Sequence, residues 1–497
     1  MSDLMKYEDA VAEFDPVLGL EVHVELGTET KMFDSAPNSS LGEPNTRVTP
    51  VSVGLPGSLP VANKRAVEYA IKIGLALNCE IAPFCRFARK NYFYPDLAKA
   101  YQISQFDEPI AHDGYVDVEL DDGEIFRVNI ERAHMEEDAG KNTHIGGDAG
   151  RIQGAAYSLV DYNRAGVPLV EIVTRPIEGA GARAPEVAAA YVRTLRDIFR
   201  ALEVSEARME RGNVRADVNV SLRPSPDAPL GTRTETKNVN SFKAIEKTVT
   251  FEIRRQAKIL TEGGKVIQET RHWHEDTATT SSGREKSDAE DYRYFPDPDL
   301  PQVFISDTWI QEIKDRQPEF KTGKMARYQT ELGLSEYDAD IITGSKRMAD
   351  IFEATVSLCK KPKEAANWLM VEGMRLLKEE ALEPEAIRFS PENLAKLIVL
   401  VDNGTITRTV AKEVFEKIFA EDIDPEAYVE ENGLKVVNDE GALRAVMEEV
   451  IAANPQSVTD YRNGKERARG FLVGQTMRAM KGKADPAMVN KMIEELL

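Results

Sequence analysis

Cysteine is scarce. There are three, Cys79, Cys85 and Cys359, in 497 residues, and no CxxC pair among them. That argues against a disulfide framework and reads as a reduced, cytoplasmic chain. Long apolar runs are absent: nothing approaches the roughly 18 residues of a membrane span, and residues 1–16 are acidic rather than built like a signal peptide. Positive charge is in deficit, with 63 Lys and Arg against 84 Asp and Glu and a net charge of −21. This argues against a protein that binds nucleic acid by bulk electrostatics, whereas a local basic surface is not excluded. The usual phosphate-binding signatures are also missing. Gly263-Gly264-Lys265 lacks the remainder of a GxxxxGK[ST] loop, no GxGxxG follows a strand, and there is no GxSxG elbow. Neither a P-loop, a dinucleotide fold nor a hydrolase nucleophile is indicated. His272-Trp273-His274 has no second ligand pair at a zinc spacing.

What the chain does contain is acid placed on strands. Leu20, Val22, Val24 and Leu26 alternate with Glu21, His23 and Glu25. That is the period of a half-buried strand, with two acids flanking a histidine on the face away from the core. The device recurs where Val214, Ala216, Val218, Val220 and Leu222 alternate with Arg215, Asp217, Asn219 and Ser221. It recurs again where Arg233, Glu235 and Lys237 alternate with threonines. Between them lies His134-Met135-Glu136-Glu137-Asp138-Ala139-Gly140-Lys141. Any one segment alone is more simply a solvated strand face. All four converging would make a carboxylate-lined pocket with a few cations, the composition of a magnesium–nucleotide site. The segment Arg89-Lys90-Asn91-Tyr92-Phe93-Tyr94-Pro95-Asp96 continues through Lys99 and Tyr101 to Gln105. Tyrosines beside Lys and Arg suit a pocket that stacks a base or sugar and pairs phosphate, although an amphipathic core strand has the same composition.

The length predicts roughly three domains. The first three hundred or so residues carry strand-like alternation with Gly/Pro turns and at least one long helix, whose face is Val187, Tyr191, Leu195, Ile198 and Leu202. This predicts an α+β domain with antiparallel sheets. Residues 291–301, with three prolines, read as an extended, well-fixed passage closing that domain. From about Ser306 the pattern is helical. Ser390 is expected to cap one helix with Pro391 at its first position, Asn403-Gly404 to end it, and Thr405 or Thr407 to cap the next. A further break falls near Asp422-Ile423-Asp424-Pro425. In the tail, Arg462, Lys465, Arg467, Arg469, Arg478, Lys481 and Lys483 stand against the single acid Glu466. Such a stripe suits a phosphate backbone but is also the pattern of a solvated helix.

These segments resemble the GatB family, the B subunits of aspartyl/glutamyl-tRNA(Asn/Gln) amidotransferases. The resemblance is carried by residues 19–26, 89–96 and 134–141, and by Tyr101-Gln102-Ile103-Ser104-Gln105-Phe106. It continues through Asp161-Tyr162-Asn163-Arg164, Pro168-Leu169-Val170-Glu171-Ile172, residues 215–221, 237–242 and 291–296, and Gly470-Phe471-Leu472-Val473-Gly474-Gln475. The matching segments run in order along essentially the whole chain.

The resemblance implies a cradle domain related to glutamine synthetase at 1–303, a helical domain at 304–421 and a helical tail at 422–497 that contacts tRNA. It implies an ATP-dependent ligase that phosphorylates the side-chain carboxylate of Glu-tRNA(Gln) or Asp-tRNA(Asn). Ammonia from a glutaminase A subunit then displaces phosphate, and a C subunit completes a heterotrimer. By resemblance, His23 and Glu137 hold the main metal, with Glu21, Glu136, Asp217 and Glu235 around it. The ion would be Mg²⁺ or, since imidazole prefers softer ions, Mn²⁺. Lys90, Lys99 and Glu136 are the catalytic candidates. Arg89, Tyr92, Tyr94, Arg215 and Lys237 are the candidates for holding ATP and the aminoacyl end, and Lys465, Arg467 and Arg469 those for tRNA. One departure stands out. Where many members of the family carry a four-cysteine zinc knuckle, this chain has Asp34, Ala36, Pro50 and Val53, so no structural zinc is expected. A stand-alone carboxylate–amine ligase and a non-catalytic tRNA-binding scaffold remain alternatives at this level.

Overall fold

Strand β1 (Asp15–Glu25) buries Leu18, Leu20, Val22 and Val24 to 2% exposure or less and turns Glu21, His23 and Glu25 to its other face. The alternation in the sequence is thus the division of this strand into a core side and a polar side. In this computed structural model the described residues are 4–39, 42–146, 154–285, 292–436, 440–480 and 482–497. Asp291 of the proline-rich passage and Lys481 of the tail stripe lie outside them. The chain divides into two compact units, Met1–Pro318 and Glu319–Leu497.

In the first unit eight more strands join β1: β2 (Glu80–Ile81), β3 (Ala111–Glu119), β4 (Ile125–Glu137), β5 (Pro168–Thr174), β6 (Val214–Arg223), β7 (Thr234–Val239), β8 (Glu269–His274) and β9 (Thr279–Glu285). Their order is β9-β8-β7-β6-β1-β5-β4-β3-β2. After β1 the chain starts at one edge, works inward to β5, passes to β6 on the other flank and works outward again. Helices α1 (Lys64–Ala76), α2 (Ala184–Ala201) and α3 (Phe242–Thr261) cover the apolar face. Neighbouring strands are antiparallel except β7 and β8, which run parallel because α3 crosses over between them. The unit is therefore α+β with mixed rather than purely antiparallel pairing.

On α2 the core face is Val187, Tyr191, Leu195 and Phe199, all fully buried. Ile198, expected there, is only half-buried: steps of four residues keep 187, 191, 195 and 199 nearly in line, and Ile198 lies one position off. Ser241 starts α3 by accepting the amide of Ala244, the N-cap hydrogen bond that satisfies an otherwise orphaned donor. A smaller sheet sets Phe295–Pro296, Ala88–Asn91 and Tyr101–Ser104 side by side. Of the proline-rich passage only Phe295–Pro296 is strand, pinned beside Lys90 by pairing Phe295 with Arg89; Arg293 before it is left-handed (φ 47°) and residues 298–300 turn, so the passage is not extended throughout.

The second unit is helical. Pro391 opens the helix Pro391–Asp402 at its first position, but Ser390 makes no side-chain cap. Its hydroxyl instead donates to Asp422 Oδ1 at 3.0 Å, which also accepts from Asn393. Thr407 caps Arg408–Glu421 through the amide of Val410. One core gathers around Trp368, Phe389 and Phe415 and reaches Val429; a smaller one holds Leu443, Met447, Leu472, Val489 and Ile493. Among the described residues no helix is long and apolar enough to cross a membrane.

Candidate active site

The polar face of the sheet is organised by register. Across four strands, His134, Glu171, His23 and Arg215 are successive ladder partners on β4, β5, β1 and β6. In the adjacent row Glu21 on β1 faces Asp217 on β6. Glu235 on β7 sits opposite Asn219, whose amide donates to Glu21 at 3.1 Å. Two groups of ligand atoms result, each within 4.8 Å of one another: His23, Glu136 and Glu171, and Glu21, Asp217 and Glu235.

Both groups line one cavity of about 330 Å³, with Lys90, Lys237, Arg233, Phe106, Tyr292 and Tyr294 among its other walls. Glu21 and Arg233 are shared with a second recess of about 230 Å³, lined mainly by apolar groups of Val17, Leu18, Val173, Pro176 and Leu230. Gly231 lets the loop before β7 close on this recess, since a Cβ there would stand 2.0 Å from the carbonyl oxygen of Leu222.

Charge is balanced locally. His134 Nε2 lies 3.2 Å from Glu171 Oε2 and 3.3 Å from Glu136 Oε1. Burial opposes a charge on His134, but those two carboxylates outweigh it and carry its pKa up to about 9. His23 is raised for the same reason, burial being outweighed chiefly by Glu171 at 3.5 Å. Burial would raise the Glu171 carboxyl, yet the two histidines hold it well below the usual carboxylate range. Lys90 stays charged against burial because Glu136 faces it, and its Nζ sits 5.2 Å from the ring centre of Tyr292. Lys237 bridges Asp217 at 2.5 Å and Glu235 at 3.2 Å, and these acids likewise outweigh its burial.

Of the residues singled out from sequence, the structure gathers Glu21, His23, Glu136, Asp217, Glu235, Lys90 and Lys237 around the cavity. It places others elsewhere. Glu137, one residue out of phase with Glu136, accepts from Lys99 at 2.5 and 2.7 Å and from the amide of Ile103 at 3.0 Å. Arg89 pairs with Asp297 and Asp299 and stacks on Tyr101. Arg215 bonds Asp138 at 2.6 Å. The hydroxyl of Tyr92 donates to Gln102, and Tyr94 is exposed. In the tail, Lys465 pairs with Asp460 and Arg469 with Glu494, whereas Arg467 is exposed.

Sequence reasoning did not single out Glu171 or His134 as site residues. The available signal was an acid, Glu171, inside the apolar run Leu169-Val170-Glu171-Ile172. A buried acid needs a partner.

Two family models match the chain, one for the GatB/GatE catalytic domain over residues 16–311 and one for a GatB domain over residues 350–497. The chain belongs to the GatB family. It is 53% identical to the B subunit of the aspartyl/glutamyl-tRNA(Asn/Gln) amidotransferase of Kineococcus radiotolerans, across 99% of each chain. It is also 53% identical to the B subunits of the same amidotransferase from Corynebacterium diphtheriae, over 100% of this chain and 99% of the relative, and Streptomyces coelicolor, over 100% and 98%.

The donor sets of this GatB-family chain suit a divalent cation. Glu21, Asp217 and Glu235 offer only oxygen, the preference of Mg²⁺. His23, Glu136 and Glu171 add an imidazole and so tolerate Mn²⁺ as well. In the loop of Asp34, Ala36, Pro50 and Val53, Asp34 accepts from Ser52 Oγ at 2.6 Å and from the amide of Ala36 at 2.7 Å.

Proposed function

We propose that this chain is the amidating subunit of a tRNA-dependent amidotransferase. It converts Glu-tRNA(Gln), Asp-tRNA(Asn) or both to the amide, using ATP and ammonia delivered by a glutaminase A subunit in a complex with a C subunit. The observation that carries the reading is the pair of clustered donor groups, His23–Glu136–Glu171 and Glu21–Asp217–Glu235, lining one cavity beside an apolar recess that shares Glu21 and Arg233 with it.

The recess suits a nucleoside, with its phosphates directed toward Arg233, Lys237 and Glu21. The aromatic side of the main cavity, with Lys90, Tyr292 and Tyr294, then takes the acylated end of the tRNA. Bound Mg²⁺ or Mn²⁺, held by His23, Glu136 and Glu171 or by Glu21, Asp217 and Glu235, would neutralise phosphate charge. The chain's own residues do the rest. Lys237 and Arg233 stabilise charge on the transferring phosphoryl group. Lys90, kept protonated by Glu136, orients the attacking side-chain carboxylate. That carboxylate oxygen forms a bond to the γ-phosphorus as the bond to the ADP oxygen breaks. Ammonia then adds to the acyl carbon, phosphate leaves with the electron pair of the acyl C–O bond, and the proton lost from nitrogen goes to the departing phosphate. The walls of the cavity limit competing hydrolysis.

The family resemblance further supports a glutamine-synthetase-like cradle at 1–303, a helical domain at 304–421 and a tRNA-contacting tail at 422–497. We also propose a cytoplasmic enzyme without structural zinc, its loop held by Asp34 and Ser52.

Omission experiments test the reading. A, B and C chains are incubated with mischarged tRNA, ATP and glutamine, leaving out one component at a time. Amide formation and ADP release should both require this chain. Amidation without the A chain but with free ammonia is expected. Amidation of a small free acid, or tRNA retention with no ATP turnover, would instead favour a stand-alone ligase or a scaffold.

A further inference from the structure

The face of β7 and β8 opposite the cavity carries a buried polar network that the chemistry above does not use. Its centre is Glu252, on α3 and fully buried. Its Oε2 accepts from Thr234 of β7 at 2.9 Å and from Arg255 of its own helix at 2.7 Å. Its Oε1 accepts from Thr280 of β9 at 2.6 Å and lies 3.1 Å from Arg271 Nε of β8. Arg271 also donates to Thr280, at 2.8 Å. One turn along the helix, Gln256 ties the Thr234 hydroxyl to the carbonyl of Val220 on β6, both at 2.9 Å. One carboxylate thus reaches three adjacent strands, and its neighbour adds a fourth.

Side chains alternate along a strand, so fixing Thr234 and Arg271 on one face fixes Glu235 and Thr270 on the other. Glu235 and Thr270 are ladder partners, joined by a 3.2 Å hydrogen bond, and both line the cavity. This edge of the sheet needs such support. The β7–β8 pairing is parallel and short, and the β6–β7 register shifts between Ala216 and Val218. An apolar residue at 252 would remove the bonds from α3 to Thr234, Arg271 and Thr280, and a slip of one residue would turn Glu235 away from Glu21 and Asp217.

We infer that Glu252 is a positioning residue that holds Glu235, and through it the group Glu21–Asp217–Glu235, at cation-binding distance. The inference rests on the proposed site, so its test separates the two. The probe is Mn²⁺ alone, titrated into the full chain and followed by loss of the free-ion paramagnetic resonance signal, with Glu235→Gln as the reference. If Glu235→Gln leaves Mn²⁺ binding unchanged, the acid group is not a cation site and the inference falls with it. If Glu235→Gln weakens binding, Glu252→Gln is expected to weaken it by about tenfold as well, the usual scale for a residue that orients a ligand. A merely structural Glu252 would lower the melting temperature and leave the affinity of the folded chain intact, and that result overturns the inference. Thr234→Val keeps the volume and removes the side-chain bonds that tie β7 to Glu252 and Gln256. It decides the matter if Glu252→Gln does not fold: weakened Mn²⁺ binding supports the positioning role, and unchanged binding overturns it.

Discussion

Glu171 Oε2 lies 3.5 Å from His23 Nε2, and the two residues are direct partners across the β5–β1 ladder. One carboxylate therefore sets the orientation of the imidazole that the strand pattern placed on the polar face. Glu171→Gln should weaken Mn²⁺ binding to the full chain by roughly ten- to a hundredfold, reduce amidation, and also lower the melting temperature, because His23 and His134 lose the buried carboxylate that faces both. Isothermal titration with Mn²⁺ checks this. Unaltered affinity would remove Glu171 from the cation site.

The Lys99–Glu137 pair, both side chains largely buried, predicts a non-additive stability response. Lys99→Met alone leaves a buried carboxylate unpaired and should cost about 3–5 kcal/mol. The double variant Lys99→Met/Glu137→Gln should recover more than half of that. Denaturant unfolding of the four proteins gives the cycle, and a double variant no better than Lys99→Met would show that the pair does not stabilise as described.

Acid should act through Glu252. Burial raises its pKa, but the hydrogen bonds and charges of Arg255, Arg271 and Thr280 outweigh this, so the folded value lies below the ordinary 4.5. A depressed carboxylate contributes stability that is fully present above the unfolded pKa and is lost as pH falls through the folded one. The stability gap between the parent and Glu252→Gln should thus be constant near neutrality and narrow below about pH 4.5. Melting temperatures across that range measure it; a gap that widens on acidification contradicts the assignment.

In the tail, Lys465 and Arg469 already have carboxylate partners, while Arg467 is exposed. The triple change of Lys465, Arg467 and Arg469 to Ala should weaken tRNA binding and flatten its salt dependence, with Arg467→Ala accounting for most of the effect. Filter binding at several salt concentrations reads both quantities. An unchanged affinity at low salt would place the tRNA contact elsewhere.

By itself the sequence determined which side chains share a face. Alternation with period two settled that Glu21, His23 and Glu25 leave the core together and that Asp217 and Asn219 do likewise on β6, because a strand offers no other arrangement. It also placed Pro391 and Gly404 at helix boundaries, where backbone chemistry is local, and narrowed the next cap to Thr405 or Thr407, of which the structure uses Thr407. Only the tertiary structure decided which of those faces meet. The ladder registers bring Glu171 and His134, distant from residue 23 in sequence, onto the row of His23. The same registers distinguish Glu136, in the cavity, from Glu137, bonded to Lys99, and give Arg215 to Asp138 rather than to the cavity. Register depends on pairing between segments that are not neighbours in the chain: Glu171 pairs with His23, 148 residues before it, and with His134, 37 residues before it. It is fixed by how the whole apolar face packs under its helices, so no local pattern in the chain could state it.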